Sequence, residues 1–118
     1  MRLSNLPWPP SVNHYWQRNR NGSMRIGAAG VAYRKSMLLH IATLHAKRIG
    51  PRVKVSIYAK PPDRRKRDLD NILKAILDAL THSGLIEDDS CIDYLCIWRG
   101  PVVKDGEITI TVEEMICV

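Results

Sequence analysis

Val53, Val55 and Ile57 alternate with Lys54, Ser56 and Tyr58, and no other stretch of the chain limits the fold as tightly. Alternation of apolar and polar residues over such a run makes a β-strand with one buried face. That strand needs a sheet beside it and a layer of apolar side chains over one side. The covering layer follows in the sequence: Leu69, Ile72, Leu73, Ile76, Leu77 and Leu80 recur at helical spacing in one stripe. A helix is therefore expected from near Asp68 to near Gly84. An earlier helix is expected over residues 28–49, with Met37, Leu38, Ile41, Leu44 and His45 near one face and Gly50-Pro51 as its stop. Residues 1–6 read as a short strand. Residues 91–98 carry apolar side chains at both parities, the pattern of a strand covered on both faces. Residues 107–114 alternate again after an Asp105-Gly106 turn. The order β-α-β-α-β-β gives an α/β or α+β fold, one mixed sheet packed against two main helices. Three prolines bar regular structure from residues 7–11, and residues 11–27 read as a long polar loop.

At 118 residues the chain is long enough for one core and too short for two, so it is taken as a single domain over residues 1–118. No apolar run approaches the eighteen or so residues of a membrane span. Residues 1–10 have Arg2 but no apolar stretch, and are not expected to act as a secretory signal. Cys91, Cys96 and Cys117 lack CxxC spacing, and His40 and His45 do not complete a zinc set. Free thiols in a reducing cytoplasm are the expectation.

Charge divides the chain sharply. Through Arg67 there are 15 Lys and Arg against one acid, Asp63; from Asp68 onward there are 3 against 11 acids. A basic half meeting an acidic half at one point suggests a polyanion-binding surface beside a carboxylate-lined site. Two halves that merely neutralise each other would not explain so abrupt a change of sign.

The junction itself reads Arg64-Arg65-Lys66-Arg67-Asp68-Leu69-Asp70-Asn71, with Lys74 following. Two helical residues at i and i+2 point about 200° apart. Asp68 and Asp70 can converge only if Asp68 is at the N-cap or before it and Asp70 is in the first turn. Asp70 and Lys74, at i and i+4, share a flank. Metal-assisted phosphodiester hydrolysis needs hard oxygen ligands, a place for water and a cation near the developing charge, and Mg²⁺ suits carboxylates with retained waters. Asp88-Asp89 could complete such a site if helix and strand are neighbours. Taken alone, Asp-x-Asp is more often a helix cap with an ordinary Asp70–Lys74 ion pair. The basic run shifts the balance, because phosphate lying over a helix start would use both. Trp8, Tyr15 and Trp16, interleaved with Arg18, Arg20 and Arg25, suit stacking and phosphate contact, or packing of the loop on its own core.

These pieces resemble the RusA family of Holliday-junction resolvases. The resemblance runs from Leu6 to about Glu114 and rests on Pro7-Trp8-Pro9-Pro10-Ser11 with Asn13, Gly30-Val31-Ala32-Tyr33-Arg34, residues 62–71, Asp78-Ala79-Leu80-Thr81, and Asp88-Asp89 with Asp93-Tyr94. It implies a homodimeric, Mg²⁺-dependent endonuclease, typical of phage or prophage, that nicks opposing strands of a four-way junction symmetrically. Asp68 and Asp70 match the family's first two catalytic acids, Lys74 its lysine, and Asp89 its third acid, with Asp88 adjacent. Arg64, Arg65, Lys66, Arg67, Asn13, Arg18 and Arg20 are the expected DNA contacts. A non-catalytic nucleic-acid-binding module and a metal nuclease acting on ordinary DNA are the rival readings.

Overall fold

The strand marked by Val53, Val55 and Ile57 sits inside the sheet of the computed structural model, which describes residues 1–116. In chain order the elements are β1 (Arg2–Leu6), α1 (Val12–Tyr15), β2 (Trp16–Arg18), β3 (Met24–Ile26), α2 (Ala28–Ala42), β4 (Val53–Lys60), α3 (Leu73–His82), β5 (Ile92–Arg99) and β6 (Glu107–Glu114). Short 3₁₀ turns at Leu69–Ile72 and Asp89–Cys91 precede α3 and β5. The main sheet has the order β1-β6-β4-β5. β6 pairs antiparallel with both β1 and β4, while β4 and β5 run parallel with Val53 opposite Ile92 and Ala59 opposite Arg99.

The expected period-2 face holds: Val53, Val55, Ile57 and Ala59 of β4 and Ile108, Ile110 and Val112 of β6 are all wholly buried. Tyr33, Met37 and Ile41 of α2 and Ala75, Ile76, Ala79 and Leu80 of α3 cover that face. Burying a Val, Leu or Ile side chain contributes about 1.5–3 kcal/mol, so this layer holds the two helices to the sheet.

Four expectations are corrected. α2 ends at Ala42 and not at residue 49, and its inward stripe is Gly30, Tyr33, Met37 and Ile41; Leu38, Leu44 and His45 are exposed. Gly30 is there because a Cβ would meet Ile26 Cγ2 at 2.7 Å and Tyr15 Cδ1 at 2.9 Å, so α2 can lie against Tyr15 only without one. Residues 11–27 are not a structureless loop: α1 and a β2–β3 hairpin occupy most of them, with Trp16 opposite Ile26. The long helix begins as a 3₁₀ turn and becomes α-helical only at Leu73. β5 is not covered on both faces; it is an edge strand with Tyr94, Leu95 and Trp98 exposed. The apolar residues at both parities therefore mark an unpaired edge and not a central strand. Cys91 and Cys96 are free thiols, and Cys117 lies outside the described residues.

Candidate active site and nucleic-acid interface

The loop that leaves β4 is ordered by the single acid of the basic half. Asp63 accepts hydrogen bonds from the Arg65 backbone N–H at 2.9 Å and pairs with Arg67 Nη1 at 2.6 Å and Arg65 Nε at 3.3 Å. The Arg67 side chain, and then the Arg65 backbone, hold the Asp63 carboxyl down to about 2. Arg67 also lies over the Trp8 ring, 5.8 Å from its centroid, and Arg99 at the end of β5 donates to the Arg67 carbonyl at 2.5 Å. Trp8 in turn packs on the turn before β6, where a Cβ on Gly106 would sit 2.8 Å from Trp8 Cβ; φ there is +72°. The basic run is thus braced at Arg67 and through Asp63. Arg64, Arg65 and Lys66 remain exposed.

Asp68 follows this loop at the N-cap of the 3₁₀ turn, and Asp70 is in the turn's first residues, the arrangement that the i, i+2 spacing requires. The Asp68 carboxylate makes no capping hydrogen bond. It lines two adjoining clefts. One, of about 330 Å³, has Trp8, Arg64 to Arg67 and Arg99 in its walls. The other, of about 410 Å³, has Asn13, His14, Lys66 and Asn71. Asn13 therefore stands beside Asp68, whereas Arg18 and Arg20 are exposed on the β2–β3 hairpin and its turn. His14, whose Nδ1 is 2.9 Å from Ser11 Oγ, and Arg99 had not been singled out from the sequence. Their only signal was nearness to Asn13 and to the exposed end of β5.

Lys74 lies one turn beyond Asp70, but its ion partner is Asp78, at 3.0 Å, and not Asp70. The ordinary Asp70–Lys74 pair is thus replaced, Asp68 is an N-cap residue whose side chain makes no cap bond, and Asp70 keeps its place in the first turn. At the far end of α3, Thr81 donates to Asp89 Oδ1 at 2.6 Å. Asp88, by contrast, caps its own turn by accepting from Ser90 N–H at 2.9 Å, and hydrogen bonding to Ser90 lowers its pKa. Asp88 thus caps the turn, while Asp89 is held by Thr81.

Asp89 is not beside Asp68 and Asp70. It precedes β5, level with the start of β4, whereas the Asp-x-Asp motif follows the end of β4. Eight strand residues at about 3.3 Å each separate the two ends by roughly 25 Å. Among the described residues no group of three or more His, Cys, Asp or Glu could hold a metal ion within the one chain. Nor is any helix long and apolar enough to cross a membrane.

Comparison with known proteins gives a consistent picture. The family described as Endodeoxyribonuclease RusA matches residues 7–113. The chain is 43% identical over 113 residues to the crossover junction endodeoxyribonuclease RusA of Shigella sonnei (strain Ss046), covering 93% of this chain and 92% of that protein. It is 42% identical over 113 residues to the protein of that name from Escherichia coli (strain K12), with the same coverage. It is 40% identical over 111 residues to the one from Enterobacteria phage HK97, covering 93% and 92%.

Proposed function

The chain belongs to the endodeoxyribonuclease RusA family, and from that premise we propose that it is a Mg²⁺-dependent nuclease that resolves four-way DNA junctions by paired, symmetric nicks. The observation that carries this reading is the Asp68 carboxylate, free of capping and placed where two clefts meet under a braced basic loop. Phage relatives of similar length suit a prophage origin and a cytoplasmic site of action.

Asp68 and Asp70 supply hard anionic oxygens, the donor chemistry that Mg²⁺ takes in nucleases. Bound there, the ion would acidify a water and offset charge on the scissile phosphate. The chain's own part is to bring phosphate to the acids. Arg64, Arg65 and Lys66 face solvent around the cleft and neutralise the backbone. Arg67 braces the loop by its bonds to Asp63, and Asn13, Arg18 and Arg20 extend the contact surface. Lys74 places an ammonium one turn from Asp70 to stabilise charge on the phosphate.

Two aspartates leave the ligand set one acid short, and a homodimer supplies it. β5 is an unpaired edge with exposed Tyr94, Leu95 and Trp98, the kind of strand that pairs with another unless it is blunted. Antiparallel pairing of β5 with its two-fold mate lays the start of one strand beside the end of the other. Asp89 of the partner subunit then comes to Arg99, and so to Arg67, Asp68 and Asp70. Each dimer has two such sites, one for each of the symmetry-related strands of a junction.

The test is cleavage of a synthetic four-way junction, a duplex and a single strand, with and without Mg²⁺. Metal-dependent paired nicks in the junction alone are expected. Binding without nicking makes the chain a non-catalytic module, and equal cutting of all three substrates removes the junction preference.

A further inference from the structure

Asp78 lies one helical turn beyond Lys74, with its side chain only 13% exposed. Three groups from three elements meet on its carboxylate. Lys74 of α3 donates to Oδ1 at 3.0 Å, Tyr15 of α1 donates to Oδ2 at 2.6 Å, and Arg34 of α2 brings Nη2 to 3.8 Å from Oδ2. Tyr15 is wholly buried, and burial followed by the hydrogen bond to Asp78 pushes its phenol up to about 12. Arg34 Nε is buried without a hydrogen-bond partner. On its other side Lys74 is backed by Trp16, whose ring centroid is 5.5 Å from Nζ.

Such a cluster is an expensive way to join three helices. Charged and polar groups give up hydration, one guanidinium nitrogen is left unsatisfied, and apolar residues of similar volume would hold the helices as well. It does achieve one thing that apolar packing would not. A lysine on a helix surface has wide rotamer freedom, and a cation that must meet a phosphate is more effective when already in place. Asp78 accepts one of the three ammonium protons and the Trp16 ring lies beside the ammonium, so a donor stays available to a ligand.

We propose that Asp78 is a positioning residue for the cleavage reaction. It holds the Lys74 ammonium one turn from Asp70, and the Tyr15 hydroxyl holds Asp78 in its turn. The inference rests on Lys74 acting in cleavage, as argued above. It also ties α1, which brings Asn13 and His14 to the Asp68 cleft, to the helix that carries Lys74.

The test is a mutant cycle read by single-turnover junction cleavage with Mg²⁺ at saturating enzyme, alongside junction affinity. Asp78→Asn keeps the shape and removes the charge; it is expected to slow cleavage about tenfold or more with affinity within about twofold. Tyr15→Phe, which deletes one oxygen, is expected to act in the same direction by a smaller factor. In a Lys74→Ala background neither change should slow cleavage further, because nothing remains to be positioned. Equal slowing in both backgrounds would mean a role in the fold at large and would overturn the proposal, as would wild-type cleavage by Asp78→Asn. If Asp78→Asn does not fold, Tyr15→Phe completes the same cycle. Wild-type cleavage by Lys74→Ala would be a separate failure, that of the catalytic reading of Lys74, and would take the positioning role with it.

Discussion

Thr81 Oγ1 donates to Asp89 Oδ1 across 2.6 Å, and this bond fastens the turn before β5 to the last turn of α3. It sets Asp89 at one end of the sheet while Asp68 and Asp70 stand at the other. In the proposed dimer the acids of each site come from different subunits, which makes mixing informative. Asp70→Asn and Asp89→Asn are each expected to bind junctions but not to nick them, since affinity comes from cations elsewhere. Mixed and allowed to exchange subunits, the two inactive proteins should regain nicking of one strand, because each heterodimer has one site with every acid intact. Gel analysis of the mixture checks this. No recovery, with exchange verified, would mean that the site does not cross subunits.

Lys74→Ala should separate chemistry from stability. Its side chain is 40% exposed, and solvent-exposed i, i+4 pairs contribute only about 0.3–0.5 kcal/mol, so the melting temperature should fall only slightly. Asp78 keeps Tyr15 and Arg34 in the variant. Single-turnover cleavage should fall about a hundredfold or more. A lower melting temperature with unaltered cleavage would reduce Lys74 to a helix-surface residue.

Salt dependence isolates the basic loop. Neutralising Arg64 and Arg65 together should lower the slope of log K against log salt by roughly two units and weaken junction and duplex binding alike. Cleavage at saturating enzyme should change less, since Asp68 and Asp70 are untouched. Fluorescence anisotropy over a salt series measures the slope; if it does not change, the DNA runs elsewhere, along the β2–β3 hairpin that carries Arg18.

Asp63 supplies a pH signature. Its carboxyl titrates at about 2 against 3.8 for the free group, with Arg67 as the main cause. A lowered pKa stabilises the folded state fully above the ordinary value, and that contribution is lost as pH falls through the folded one. Wild type should therefore be more stable than Asp63→Asn at neutral pH, and the gap should close between about pH 4 and pH 2. Urea denaturation of both proteins across that window checks it; a gap independent of pH would show that the Asp63 charge is not what braces the loop.

Much of this was legible in the sequence alone, because short-range physics writes it. Alternation in residues 53–57 and 108–112 marked the buried face of the sheet, and Ile72, Ile76 and Leu80 of the helical stripe marked that of α3 and the turn leading into it. The divergence of i, i+2 residues in a helix meant that Asp68 and Asp70 could converge only with Asp68 outside it. The change of charge sign at Asp68 marked the place of the site proposed above. The expectations that failed are those that turn on which element lies next to which. Residues 92–99 look alike to a periodicity argument whether the strand is central or an unpaired edge, and only the sheet order β1-β6-β4-β5 decides it. Likewise Lys74 has Asp70 and Asp78 at equal spacing; α1 and α2 packing Tyr15 and Arg34 against Asp78 select the second. Asp89 was identifiable as an acid of interest from the sequence. That it lies a full strand length from Asp68 follows from β4 and β5 being parallel, a pairing between residues some forty positions apart that local pattern does not encode.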